Sequence, residues 1–197
     1  MLQTHLLLAI AWIFYCVLHS VLASQKVKAA VQKAFGKNFR LYRFFYTIFS
    51  FLGLAAILVY QFSIASTLLF QPQLAVRIIG LILMAVGGTI MLMMIWKYFM
   101  QLSGVRWLFQ QEVRTKLEIS GMHRIVRHPL YLGTFTFIWG WFLVSPFISF
   151  LIAAGIITIY TLIGLQYEEQ KLIKEFGDDY LEYQKKVPKL IPKRFGV

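Results

Sequence analysis

The chain has 197 residues, 59% of them hydrophobic and only 14% charged, against roughly 45–50% apolar and roughly 25% charged in ordinary soluble domains. That balance excludes a disordered chain and argues against a soluble enzyme. Twenty Lys and Arg face eight Asp and Glu for a net charge of +12, but the charges fall in three blocks between long uncharged stretches, the pattern of membrane flanks rather than of a nucleic-acid surface.

Residues 2–25 carry no Asp, Glu, Lys or Arg, which is enough for the roughly 20 residues of one crossing. The first span is expected at about 3–23. Val-Leu-Ala-Ser at 21–24 loosely imitates a signal-cleavage site, but no Lys or Arg precedes it, so the stretch reads as a retained helix. It holds the only cysteine, Cys16, which excludes an intramolecular disulfide framework and a zinc cluster of several thiolates; no metal site is expected. Near the end of this span stands His19, beside Ser20, an interfacial or packed histidine by position alone.

Two further uncharged stretches, 44–76 and 78–96, place spans at about 44–65 and 75–96. Gly80, Gly87 and Gly88 in the third allow close helix packing, within one chain or between two. Lys97 to Phe109 mixes aromatic and basic residues around a glycine, either an interfacial segment anchored by Trp107 or the wall of a pocket. Next, Gly121 to Gly133 concentrates His123, Arg124, Arg127, His128, Pro129 and Tyr131. Pro129 suits the first position of a helix. Arg127 and His128 would then stand at its positive end, beside unpaired N–H groups, where a carboxylate or phosphate fits. The competing reading is contact with anionic membrane lipids.

The fourth uncharged stretch, Leu130 to Tyr167, has 38 residues, nearly twice what a core of roughly 30 Å requires at about 1.5 Å per residue. It is expected to fold as a hairpin, 130–144 and 147–166, broken at Ser145-Pro146. After it, Leu172, Ile173, Phe176, Tyr180 and Tyr183 recur at helical spacing, Gly177 reads as a helix stop, and Asp179 with Glu182 as a capping box. Glu168 and Glu169 are adjacent carboxylates where the last span ends, and need either Lys or Arg from another segment or a cationic ligand.

The expected architecture is therefore all-α, one domain over 1–197, with five transmembrane helices and an ordered helical tail. Lys and Arg number six in 24–43, six in 97–127 and seven in 168–197, and none in 66–76 or 144–147. By the positive-inside rule the N-terminus lies outside an inner, cell-type membrane, and the segments 97–129 and 167–193 are cytoplasmic. No span carries Asp, Glu, Lys or Arg at mid-depth, which disfavours ion-coupled transport.

Arg127-His128-Pro129-Leu130-Tyr131, the pair Glu168-Glu169, and Phe176-Gly177-x-x-Tyr180-x-x-Tyr183 followed by Val187-Pro188-x-Leu190-x-Pro192 together resemble the isoprenylcysteine carboxyl methyltransferase-like membrane methyltransferases. The resemblance covers roughly residues 80–193. His19-Ser20 and Tyr98 through Arg106 resemble, more loosely, the branch that holds methanethiol S-methyltransferase and NnrU-type proteins. What it implies is S-adenosylmethionine bound at the cytoplasmic face by Gly121, His123, Arg127, His128, Pro129, Tyr131, Glu168 and Glu169. It also implies His128, Glu168 and Arg127 at the chemistry, and His19, Tyr98 and Arg124 beside a methyl acceptor arriving from the membrane. Prenylcysteine-specific members resemble Arg-x-Pro-x-Glu-Glu at the end of this helix, where Gly164 and Gln166 stand here, and His123 replaces their usual Tyr. A small or lipophilic thiol is thereby favoured over a prenylcysteine carboxylate or a phospholipid amine. A non-catalytic NnrU-like sensor is the remaining alternative.

Overall fold

The computed structural model describes residues 1–36, 39–102 and 117–192. Among these residues seven α-helices follow in chain order: α1 (Leu2–Ala23), α2 (Gln25–Phe35), α3 (Phe39–Ser63), α4 (Leu74–Leu102), α5 (Pro129–Val144), α6 (Ile148–Phe176) and α7 (Asp178–Lys186), with a 3-10 turn at Gly121–Arg124 ahead of α5. Among the described residues there is no strand, only an isolated bridge between Leu68 and Phe147.

Among the described residues four helical stretches are long and apolar enough to cross a membrane: Leu2–Ala23, Phe44–Ser63, Leu74–Lys97 and Ile148–Phe176. Their large apolar side chains point outward; Phe51, Leu52, Val59, Leu74 and Leu92 are all more than half exposed. Water would not tolerate such a surface, whereas hydrocarbon does. The fifth expected span, α5, is a shorter apolar helix of 16 residues, about 24 Å long.

Two differences from the expected stretches are informative. First, residues 25–35 form α2, which hydropathy did not foretell. Ser24, the apparent cleavage residue, is its N-cap and accepts from the Val27 N–H at 3.3 Å. Second, α6 does not stop with its uncharged part. Residues 148–167 already reach about 30 Å, and the same helix carries Glu168 and Glu169 beyond that stretch on a rigid extension.

Pro129 begins α5 and the break falls at Ser145-Pro146 as expected. The tight turn there is tied to the α3–α4 link by main-chain bonds, Leu69 N–H to Pro146 O at 2.8 Å and Ile148 N–H to Thr67 O at 3.0 Å. The Asp179–Glu182 capping box does not form: Gly177, at φ 54°, ends α6 and is itself the N-cap of α7, so Asp179 falls inside the helix.

Two kinds of packing hold the bundle. α1 lies between α3 and α6, with Leu8, Trp12 and Ala153 at the centre, and Trp12 Nε1 donates to Gln61 Oε1 at 3.0 Å. α4 and α5 meet through glycines seven residues apart on each, Gly80 against Gly140 and Gly87 against Gly133. Their backbones touch: a β-carbon on Gly87 would stand 2.5 Å from the Phe137 nitrogen and 2.6 Å from the Gly133 carbonyl oxygen. The glycines thus serve packing within the chain, the small-residue mode of membrane helices.

Candidate active site

Where α6 runs past its uncharged part, the segment before α5 and the tail converge on it. Glu169 is the focus and is buried. Arg127 donates to Glu169 Oε1 through Nε at 2.9 Å and Nη2 at 2.7 Å. Its Nη1 donates to the carbonyl oxygens of Gln184 at 3.0 Å and Val187 at 2.7 Å. Four of the five guanidinium protons are thereby used. Lys189 Nζ lies 2.8 Å from Glu169 Oε2, and Tyr180 OH donates to Oε1 at 3.4 Å.

The main chain completes the clasp. The Arg127 N–H donates to Pro188 O at 2.9 Å and the His128 N–H to Lys189 O at 3.2 Å. Tyr183 OH donates to the His123 carbonyl at 2.6 Å, and the His123 ring, through Nδ1, to the Arg127 carbonyl at 3.1 Å. The amides of 127 and 128 are therefore occupied by tail carbonyls.

His128, buried just ahead of α5, has Nε2 3.2 Å from Glu169 Oε1. Burial lowers its affinity for a proton, and the nearby carboxylates only partly offset that. The neutral ring must then donate from Nε2, since Glu169 is an acceptor only, leaving Nδ1 bare and 3.8 Å from Glu168 Oε2. Burial also lowers His123 and pushes the Tyr180 phenol up, so Tyr180 stays a donor.

The two adjacent carboxylates have opposite situations. Burial alone would raise Glu169, but donors from Lys189, Arg127 and His128 outweigh it and hold the carboxyl at about 2, against an ordinary 4.5. Glu168 takes one bond, from Tyr131 OH at 2.7 Å, and its side chain is 41% exposed. Tyr131 stacks on His128, centroids 5.5 Å apart and planes within 9°. An accessible, oriented carboxylate beside a flat aromatic wall can hold a cation with an aromatic part.

A depressed folded-state value makes the Glu169 contribution complete above about pH 4.5 and lost as pH falls toward about 2. The unfolding midpoint of detergent-solubilised protein is expected to be flat above about pH 5 and to drop below it. Glu169→Gln should remove that part of the slope; an unaltered slope would refute the assignment.

Of the other expected site residues, Gly121 sits at φ 58° in the 3-10 turn, and Pro129 is buried at the start of α5. Arg124 is exposed and has no ion pair among the described residues. His19 lies apart from this cluster, bonded to Tyr46 and Ser50. The side chain of Tyr98 and the segment 103–116 lie outside the described residues. Sequence reasoning did not single out Lys189, whose only signal was a basic residue in the Val187–Pro192 run.

Residues 75–179 match the phospholipid methyltransferase family, taking in α4, α5, α6 and every member of the cluster ahead of Tyr180. The chain belongs to the phospholipid methyltransferase family. It is similar to the methanethiol S-methyltransferase of Crocosphaera subtropica, 32% identical over 183 residues, 88% of this chain and 69% of that one. That likeness extends into the amino-terminal helices. Methanethiol S-methyltransferase 2 of Bradyrhizobium diazoefficiens is 40% identical over 88 residues, 44% of this chain and 31% of its own. The protein-S-isoprenylcysteine O-methyltransferase of Schizosaccharomyces pombe is 36% identical over 77 residues, 39% and 33%. These relatives and the family place the chain among methyltransferases, and its outward-facing apolar helices place it among membrane proteins.

Proposed function

We propose that this protein transfers a methyl group from S-adenosylmethionine to a small or lipophilic thiol at the cytoplasmic face of the cell membrane. In this reading five helices cross, α5 included, with the N-terminus outside and α7 in the cytoplasm. The observation that carries it is the division of labour between the two carboxylates. Glu169 is neutralised within the clasp, whereas Glu168 is held half exposed by Tyr131 beside His128. Glu168 would meet the cofactor's ammonium, ribose or sulfonium side, the Tyr131–His128 wall its aromatic part, and Arg124 its carboxylate. Arg127 and Glu169 would act by fixing the tail over the site. S-adenosylmethionine, when bound, supplies a methyl group already activated on a sulfonium. The residues need only align the acceptor and exclude water. The relatives named for methanethiol support a thiol acceptor, as do Gly164 and Gln166 where prenylcysteine-specific members resemble Arg and Pro.

Calorimetric titration of purified protein with S-adenosylhomocysteine tests the donor half. Micromolar binding is expected, weakened at least about 10-fold in Glu168→Gln by loss of a charged partner; no binding to folded protein overturns the reading. Thiol, prenylcysteine and phospholipid amine assayed side by side test the acceptor half. Thiol methylation should climb with pH toward about 8.5, while carboxylate methylation would already be flat above about pH 6.

A further inference from the structure

A polar seam runs through apolar helices where α1, α3 and α6 meet. Cys16, His19 and Ser20 are three and four residues apart on α1 and share one face. Tyr46 OH lies 3.0 Å from His19 Nε2 and 3.1 Å from Nδ1, and reaches the His19 carbonyl at 3.4 Å. His19 Nδ1 is 3.1 Å from Ser50 Oγ, which itself donates to the Tyr46 carbonyl at 2.8 Å. The ring proton therefore belongs on Nδ1, and Nε2 is the bare acceptor facing Tyr46. Tyr15 and Tyr46 flank the ring with centroids 5.8 and 5.3 Å away.

Across from these residues stands Tyr160, inside the uncharged stretch of α6. Its oxygen accepts from Ser20 Oγ at 2.9 Å, which leaves the phenol proton available; among the described residues no acceptor takes it. Ser20 follows His19 directly on α1, so this bond sets Tyr160 beside the His19–Tyr46–Ser50 group. Tyr131 is the residue that orients Glu168. Eight residues separate Tyr160 from Glu168 on one helix, about 12 Å. Ser20 and Tyr160 pair across the helices, and the accepting phenol keeps its own proton to donate, beside the residue that follows an imidazole with a bare nitrogen. Ser20 is exposed on the flank of the bundle, so the seam opens sideways toward the bilayer.

We propose that this seam receives the methyl acceptor: the Tyr160 hydroxyl donates a hydrogen bond to the sulfur of a small thiol, and Tyr46 passes the thiol proton to His19 Nε2. This rests on the thiol reading above. The S–H bond of the acceptor breaks and its sulfur forms a bond to the donor methyl. The methyl–sulfonium bond breaks with its electron pair staying on the donor sulfur. The products are a neutral thioether, S-adenosylhomocysteine, and one proton, held first on His19 and then released to water.

The test compares an alkanethiol, methanethiol, with an aryl thiol, thiophenol, which is already ionised at neutral pH, alongside calorimetry with S-adenosylhomocysteine. For Tyr160→Phe we expect kcat/KM with methanethiol to fall about 10- to 100-fold. With thiophenol the fall should be only a few-fold, and the affinity for S-adenosylhomocysteine should be unchanged. Tyr46→Phe should show the same preference for the ionised acceptor. An equal fall with both thiols, or unchanged rates with both, overturns the proposal. If Tyr160→Phe fails to bind S-adenosylhomocysteine, Ser20→Ala decides, since it releases the phenol without removing it: a several-fold loss confined to methanethiol supports the proposal and an unchanged rate overturns it. A wild-type protein that binds S-adenosylhomocysteine but methylates no thiol overturns the thiol reading itself, and this proposal with it.

Discussion

Replacing Arg127 by alanine is expected to cost about 3 kcal/mol of stability, the scale on which removing one partner of a buried ion pair acts, and to abolish cofactor-product binding. The guanidinium serves Glu169 and two tail carbonyls at once. Without it, Lys189 is the one full cation left against a buried carboxylate, and the turn at Gln184–Val187 loses both its donors. Arg127→Lys keeps the charge but cannot reproduce the planar fork, so it should recover less than half of the loss. Thermal unfolding and limited proteolysis of the tail read the two effects separately. A lysine variant with wild-type stability would mean that charge alone, not the three-way geometry, holds the tail.

A second large effect is expected at the α4–α5 contact. Gly87→Ala places a methyl group 2.5 Å from the Phe137 nitrogen and 2.6 Å from the Gly133 carbonyl oxygen. Both are backbone atoms, so the helices themselves must part. The cost expected is about 2–3 kcal/mol or more, typical of overpacking, read as a lower unfolding temperature and a smaller monodisperse fraction in detergent. The adjacent Gly88 is the control. Its β-carbon would meet only the Phe137 ring, at 3.6 Å, and alanine is the better helix former by roughly 0.8–1 kcal/mol. Gly88→Ala should therefore be neutral or stabilising; equal damage at 87 and 88 would show that the helix pair does not close through Gly87.

Much of this arrangement is legible in sequence because a membrane imposes long-range order on composition. Uncharged stretches must match the hydrocarbon thickness, and Pro146 leaves the 38-residue stretch a single place to break. The Arg-His-Pro segment and the paired glutamates stand out because charge next to a span is costly. What sequence does not disclose is how those glutamates divide. They are neighbours in the chain, yet consecutive helical residues face about 100° apart. Only the packing of α6 against the tail decides that Glu169 turns inward to Arg127 and Glu168 toward Tyr131. The occupied amides of 127 and 128 escaped for a similar reason, since their partners lie some sixty residues away in an extended run with no periodicity. α2 was masked by its neighbour: Ser24 closes one apolar helix and caps another, so a hydropathy reading sees one boundary where there are two.

The bundle is fastened differently at its two ends. At the Pro146 turn the fastening is the pair of amide–carbonyl bonds at Leu69 and Ile148, which no proton in the ordinary range can titrate. At the opposite end it is a carboxylate held by two cations and a phenol. Acid therefore unlatches only one end. Such a molecule is expected to open at low pH like a clothes peg rather than melt evenly, with the amides of Arg127 and His128 exchanging with solvent well before those of Leu69 and Ile148.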